Sequence, residues 1–110
     1  MASDPNLLHP SLTPWSVYLS RAIGARITST YRSYTTQASL YRTRQRVLSG
    51  ELPLSSQPFP VAPPGRSLHE LSPSRAWDME GDPRLLRAAG MYWRSRGGTW
   101  SESDIIHFEG

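Results

Sequence analysis

The sequence predicts a small α+β domain, a short antiparallel or mixed sheet with helices packed against it. Three observations lead there. Stretches with helical apolar spacing alternate with short strand-type runs, in the order α, β, α, β, α, β. The length of 110 residues suits one domain with a single core. Four Trp, five Tyr and two Phe supply large apolar pieces, although the hydrophobic fraction is only 37%.

Residues 1–12 read as an irregular lead-in. Thr13 and Pro14 fit an N-cap followed by proline at the first helical position. Trp15, Val17, Tyr18, Leu19 and Ile23 suggest a helix over 14–23 that ends near Gly24. "ARITSTYRS" alternates, with Ile27, Ser29 and Tyr31 opposite Thr28, Thr30 and Arg32, and predicts a strand over 26–31 with Arg32 at its end. Thr35 is a plausible N-cap for a helix over 36–49. Ala38, Tyr41, Gln45 and Leu48 form its stripe and Gly50 stops it. Residues 51–66 hold five of the ten prolines, which excludes a helix or a central strand. An ordered loop forming one lip of a cleft is expected there. "SRAWDM" reads as a strand over 75–79. Asp82 and Pro83 open a helix over 83–95, striped by Leu85, Leu86, Ala89, Tyr92 and Trp93 and ended by Gly97 and Gly98. "DIIHFE" supplies a last strand over 105–109.

The formal charge is +3 and every positive side chain is arginine. That balance is compatible with nucleic acid, an anionic membrane surface or an anionic polymer such as bacterial wall, and is too small to choose among them. The run Arg42, Arg44 and Arg46 fits a solvated helix face, and no recognisable motif supports nucleic-acid binding. No stretch approaches the ~20 apolar residues of a membrane span, and the N-terminus lacks the pattern of a signal peptide. Cysteine is absent, so a metal site must draw on His, Asp, Glu and water.

His69, Asp78 and His107 are of ligand type and lie in stretches that look ordered. His9 sits in the lead-in and has little claim to a role. A catalytic zinc takes three protein ligands and leaves a fourth position open. Spacing alone does not decide the matter: a lone histidine is commonly a hydrogen-bonded structural residue, and Asp78 has twelve arginines to pair with.

The surrounding segments resemble those of the LAS-type zinc peptidases, the group of lysostaphin, D-alanyl-D-alanine carboxypeptidases and hedgehog-like domains. "PPGRSLHE…SRAWDM" is similar to their S-x-H…A-x-D segment. "SDIIHFEG" is similar to their terminal acid-x-x-His segment, and "ITSTYRSYTTQASLY" to their upstream strand-Arg-helix-Gln segment. The three occur in the family's order over about residues 26–109. The resemblance implies a sheet carrying Zn2+ on His69, Asp78 and His107, with Asp104 as the catalytic carboxylate. It implies Arg32 as a catalytic, substrate-orienting arginine and Ser67 as a substrate-binding hydroxyl. Gln37 matches a recurrent polar position on the following helix and is grouped with the substrate-binding residues.

One departure bears on Asp78. The family usually spaces these two ligands by six residues and has a glycine between them. Here eight intervene, and Ser72-Pro73-Ser74 stands where the glycine would be. A two-residue bulge keeps strand parity, so Asp78 is still expected to face the metal, with Glu80 on the same face as the fallback. Parity also sets Asp104 and His107 on opposite sides of a regular strand, so Asp104 needs an incoming loop or a bulge to reach the same metal.

The expected function is zinc-dependent hydrolysis of peptidoglycan stem-peptide amides. Asp104 favours an L-alanyl-D-glutamate endopeptidase, as in phage endolysins, with a D-alanyl-D-alanine carboxypeptidase as the alternative. A zinc-containing, non-catalytic binding module of hedgehog-like fold is the alternative of another class. The expected partner is the bacterial stem peptide rather than nucleic acid or membrane. The chain is expected to be a monomer that is made in the cytoplasm and acts on the wall after release, or that rides in a phage virion.

Overall fold

The computed structural model describes residues 2–110. Among the described residues three α-helices and four strands form one small α+β domain: α1 Thr13–Ala22, β1 Arg26–Ser29, α2 Tyr34–Leu48, β2 Ala76–Glu80, α3 Pro83–Ser95, β3 Thr99–Ser101 and β4 Asp104–Glu109. The sheet is antiparallel throughout, in the order β1-β2-β4-β3. Strand β3 was not expected from the sequence. Three residues beside a glycine pair are too few to show alternation, and only pairing with β4 makes them a strand.

Alternation along β2 and β4 divides the sheet into two faces. Trp77 and Met79 point into the core with Phe108, the cross-strand partner of Trp77. Trp77 and Phe108 stack with ring centroids 5.4 Å apart. Leu19 of α1 and Leu86, Ala89 and Trp93 of α3 cover this face. Two indoles are pinned as well as buried. Trp93 Nε1 donates to the Glu109 carbonyl at 2.7 Å, and Trp100 Nε1 to that of Ile105 at 3.0 Å. Trp77, Trp93 and Trp100 are thus core residues.

The lead-in belongs to this core. A single 3₁₀ turn, Pro5–Leu7, brings Leu8 and Leu12 into the core, each at most 4% exposed. Thr30 donates its backbone N–H to Ala2 O at 2.8 Å, and His9 to Ser74 O at 2.8 Å.

Helix ends follow local chemistry, with two corrections. Asp82 caps α3 as expected, accepting from Arg84 N–H at 2.8 Å. The cap of α2 is Ser33, which accepts from Thr36 N–H at 3.2 Å, so the helix starts ahead of Thr35. Thr13 is the first residue of α1 rather than its cap. Its hydroxyl instead donates to Pro5 O at 2.8 Å and ties the helix to the lead-in.

Only α1 and α3 pack on the core face. Helix α2 buries a single residue, Gln37, and borders the opposite face together with the proline-rich loop. The arginine run on α2 is partly spent locally: Arg44 donates to Gln57 O at 3.0 Å and Arg46 pairs with Glu51 at 2.9 Å. Among the described residues no helix is long and apolar enough to cross a membrane.

Gly90 sits inside α3, where glycine is unfavourable by about 1 kcal/mol relative to alanine. A Cβ there would lie 2.1 Å from the Trp100 ring, so the close approach of helix and indole requires the hydrogen. Gly90→Ala is therefore expected to destabilise the fold by about 1–3 kcal/mol despite the gain in helix propensity, read as a lower urea midpoint.

Candidate metal centre

The face of the sheet away from the core carries a cleft of about 300 Å³. Its floor is built from three chain segments. Asp78 and His107 are cross-strand partners on β2 and β4, which brings their side chains together on one face. His69 arrives on a 3₁₀ turn, Leu68–Glu70, capped by Ser67, whose hydroxyl accepts from His69 N–H at 3.2 Å. The backbone of that turn is joined to the end of β1 by Arg32 N–H donating to His69 O at 2.9 Å.

Hydrogen bonding fixes which imidazole nitrogen is available. His69 Nδ1 lies 2.6 Å from Thr30 O, a group that only accepts, so Nδ1 carries the proton. His69 Nε2 then faces Asp78 Oδ1 at 3.2 Å. His107 Nε2 lies 2.7 Å from Glu109 Oε1 and donates to it, which leaves Nδ1 facing the same Asp78 oxygen at 3.0 Å. The other carboxylate oxygen, Asp78 Oδ2, accepts from Arg32 Nη2. One ligand atom from each of His69, Asp78 and His107 lies within 4.8 Å of the others. Two ring nitrogens and a carboxylate oxygen thus converge at a site where His69 is fully buried and Asp78 is 6% exposed. Such a convergence of lone pairs is favourable only with protons or a cation between them. These three residues could hold a metal ion, and Thr30 O and Glu109 are the outer partners that ligating histidines require.

The extra residues between His69 and Asp78 do not displace the carboxylate. They form a turn tied down by Ser74, whose hydroxyl donates to Thr30 O at 2.9 Å. Glu80, the fallback ligand, is away from the cluster in an exposed ion pair with Arg26 at 2.7 Å. The reason is register: Glu80 pairs with Arg26 at the far end of β1, while Ser29, nearer the site, pairs with Asp78.

Asp104 also lines the cleft. Trp100 pairs with Phe108 but Ser101 pairs with Asp104, so β4 carries extra residues between those rungs. This irregularity breaks the parity that would otherwise separate Asp104 from His107. Asp104 Oδ1 is buried with no hydrogen-bond partner among the described residues.

Arg32 and Gln37 meet at the cleft wall. Arg32 Nη1 donates to Gln37 Oε1 at 3.2 Å, and Gln37 Nε2 donates to Ala62 O at 2.9 Å, fastening the proline-rich loop to α2. Loop residues Phe59 to Ala62 form one lip, as expected. His9 stays outside the cluster, its Nδ1 2.7 Å from Ser11 Oγ. Sequence reasoning missed Glu109 as the partner of His107. Its position two residues on, sharing the face of His107, was the available signal.

The charges of the metal-free cluster are strongly coupled. Burial works to raise the Asp78 pKa, but hydrogen bonds from His107 and His69 and the Arg32 charge hold it well below the usual carboxylate range. Burial opposes charging of His107, yet bonds to Asp78 and Glu109 push its pKa up to about 9. A proton thus competes with a metal at this site. Burial, with a smaller contribution from the Asp78 charge, raises Asp104 to about 6.

No protein-family model and no curated protein matches this chain.

Two outcomes follow from this geometry. Asp78→Asn is expected to weaken metal binding by more than about 100-fold, beyond the usual cost of losing an outer partner. Glu80→Gln should leave it unchanged, with both read by metal titration. The raised pKa of Asp104 means that its ionisation opposes folding. In the metal-free protein its destabilising effect appears as pH rises from the unfolded value near 4 through about 6. Asp104→Asn should remove that loss, seen as a smaller difference in urea midpoint between pH 4 and pH 7.

Proposed function

We propose that this chain is a zinc-dependent peptidoglycan peptidase of the LAS type. Its preferred reaction is hydrolysis of the L-alanyl-D-glutamate bond of stem peptides. The observation that carries the reading is the convergence of His69, Asp78 and His107 in one open cleft with Asp104, a half-buried carboxylate whose Oδ1 has no hydrogen-bond partner among the described residues. The donor set of two imidazoles and one carboxylate suits zinc and keeps a coordination position free. When bound, zinc supplies Lewis acidity toward a carbonyl and lowers the pKa of water toward ~7.

The chain's own residues carry the proton traffic. Asp104 takes a proton from the attacking water as the hydroxyl oxygen bonds to the amide carbon. It then returns that proton to the nitrogen as the C–N bond breaks. Burial raises the Asp104 carboxyl to about 6 in the protein without metal, which favours its role as proton acceptor, while a bound cation would act in the opposite direction. Arg32 lies at the cleft wall, where the family resemblance assigns it to substrate. Its bond to Asp78 Oδ2 also orients that carboxylate so that Oδ1 faces both histidines. Ser67 holds the turn that presents His69 and lines the same cleft.

Digestion of purified wall tests the proposal. New L-alanine C-termini and D-glutamate N-termini are the expected products, and Asp104→Ala should lower the rate by about 10²–10⁴-fold. Release of free D-alanine instead would make the chain a D-alanyl-D-alanine carboxypeptidase. Tight zinc binding without any hydrolysis would leave a binding module of hedgehog-like fold.

A further inference from the structure

The ionic groups lining the cleft are almost all committed to one another. Asp78 faces His69, His107 and Arg32. Glu109 accepts from His107, and Arg32 also donates to Gln37. Arg66 is the exception among the cations. It lines the same cleft and is exposed, and its guanidinium makes no hydrogen bond, ion pair or aromatic contact among the described residues.

Its backbone, in contrast, is fixed. Gly65, at φ +84°, makes the turn that leads into Arg66, a conformation that other residues adopt only with strain. Arg66 N–H donates to Pro63 O at 3.1 Å. Glu70, the nearest acid in sequence, spends its carboxylate on the Gly65 N–H at 2.9 Å and the Ser67 N–H at 3.4 Å. It therefore fastens the turn on both sides of Arg66, and no bond joins its carboxylate to the guanidinium. The same turn delivers His69, so an uncommitted cation is held a short, rigid distance along the chain from a metal ligand.

We infer that Arg66 is a specificity residue of this cleft that recognises a carboxylate on the peptide substrate. The inference rests on the peptidoglycan peptidase reading, whose stem peptides are rich in carboxylates. A guanidinium on a fixed turn offers two parallel donors to such a group, and its fork loses little freedom on binding. Arg32 already donates to Asp78 and Gln37, whereas the Arg66 guanidinium has no partner to release among the described residues.

The test separates binding from hydrolysis. The zinc-loaded Asp104→Asn protein, expected to be inert, is titrated calorimetrically with two synthetic L-alanyl-D-glutamyl peptides. One has the free α-carboxylate of D-glutamate and the other has that group amidated. The carboxylate peptide should bind about tenfold more tightly, in line with a charge-assisted hydrogen bond at a partly open site. Adding Arg66→Gln should equalise the two peptides, and Arg66→Lys should restore part of the preference. Equal affinities before Arg66 is changed, or a preference that survives Arg66→Gln, would overturn the inference. Wall digestion by the unaltered protein is read separately. If hydrolysis is absent but the Arg66-dependent preference is present, the peptidase reading falls and Arg66 stands as a recognition residue.

Discussion

A carbonyl oxygen can accept a hydrogen bond but never donate one, and the arrangement of this cleft follows from where Thr30 places its carbonyl. By accepting from His69 Nδ1 it leaves Nε2 turned toward Asp78. Glu109 sets His107 in the same way, and Arg32 occupies the outer oxygen of Asp78. Each of the three inner atoms is thereby aimed by a partner on its outer side. Buried lone pairs facing one another are costly when nothing positive lies between them, so these outer bonds shape a place where a proton or a metal ion could sit.

The sheet meets two opposed requirements by giving each a face. One face is closed by tryptophans, phenylalanine and leucines beneath α1 and α3. The other stays open between α2 and a proline-stiffened loop. Neighbouring residues on one strand serve both ends: Trp77 and Met79 hold the core while Asp78 between them faces the cleft. The indole hydrogen bonds to β4 join the faces, because the strand that Trp93 and Trp100 grip from the core side is the one that presents His107. Irregular pairing in β4 then turns Asp104 to the same side.

Electrostatic division of labour runs through the cleft. Asp78 is held ionised by its partners, while Asp104, half-buried and with no donor to its Oδ1 among the described residues, has a raised pKa. Two carboxylates in one cleft thus have their affinities for protons pushed apart, which is the division of labour that the proposed function uses. Arg66 adds a positive charge at the rim that the interior does not neutralise.

Much of the chain was legible before folding. Capping and proline signals at Asp82–Pro83 and the apolar stripe located α3, alternation located β1 and the run "DIIHFE" located β4, because each depends on neighbours within a few residues. The ligand types and the family-like segments marked His69, Asp78 and His107 as candidates. Tertiary structure decided what depends on register and on distant partners. It set β3 by its pairing, the core role of the lead-in by Leu8 and Leu12, and the choice of Asp78 over Glu80 by the pairing of β2 with β1. It assigned Glu109 to His107, and left Arg32 engaged where the Arg66 guanidinium has no partner among the described residues. Local sequence specifies which side chains exist and how the backbone near them bends. Which lone pairs face one another is fixed only when strands far apart in the chain come into register.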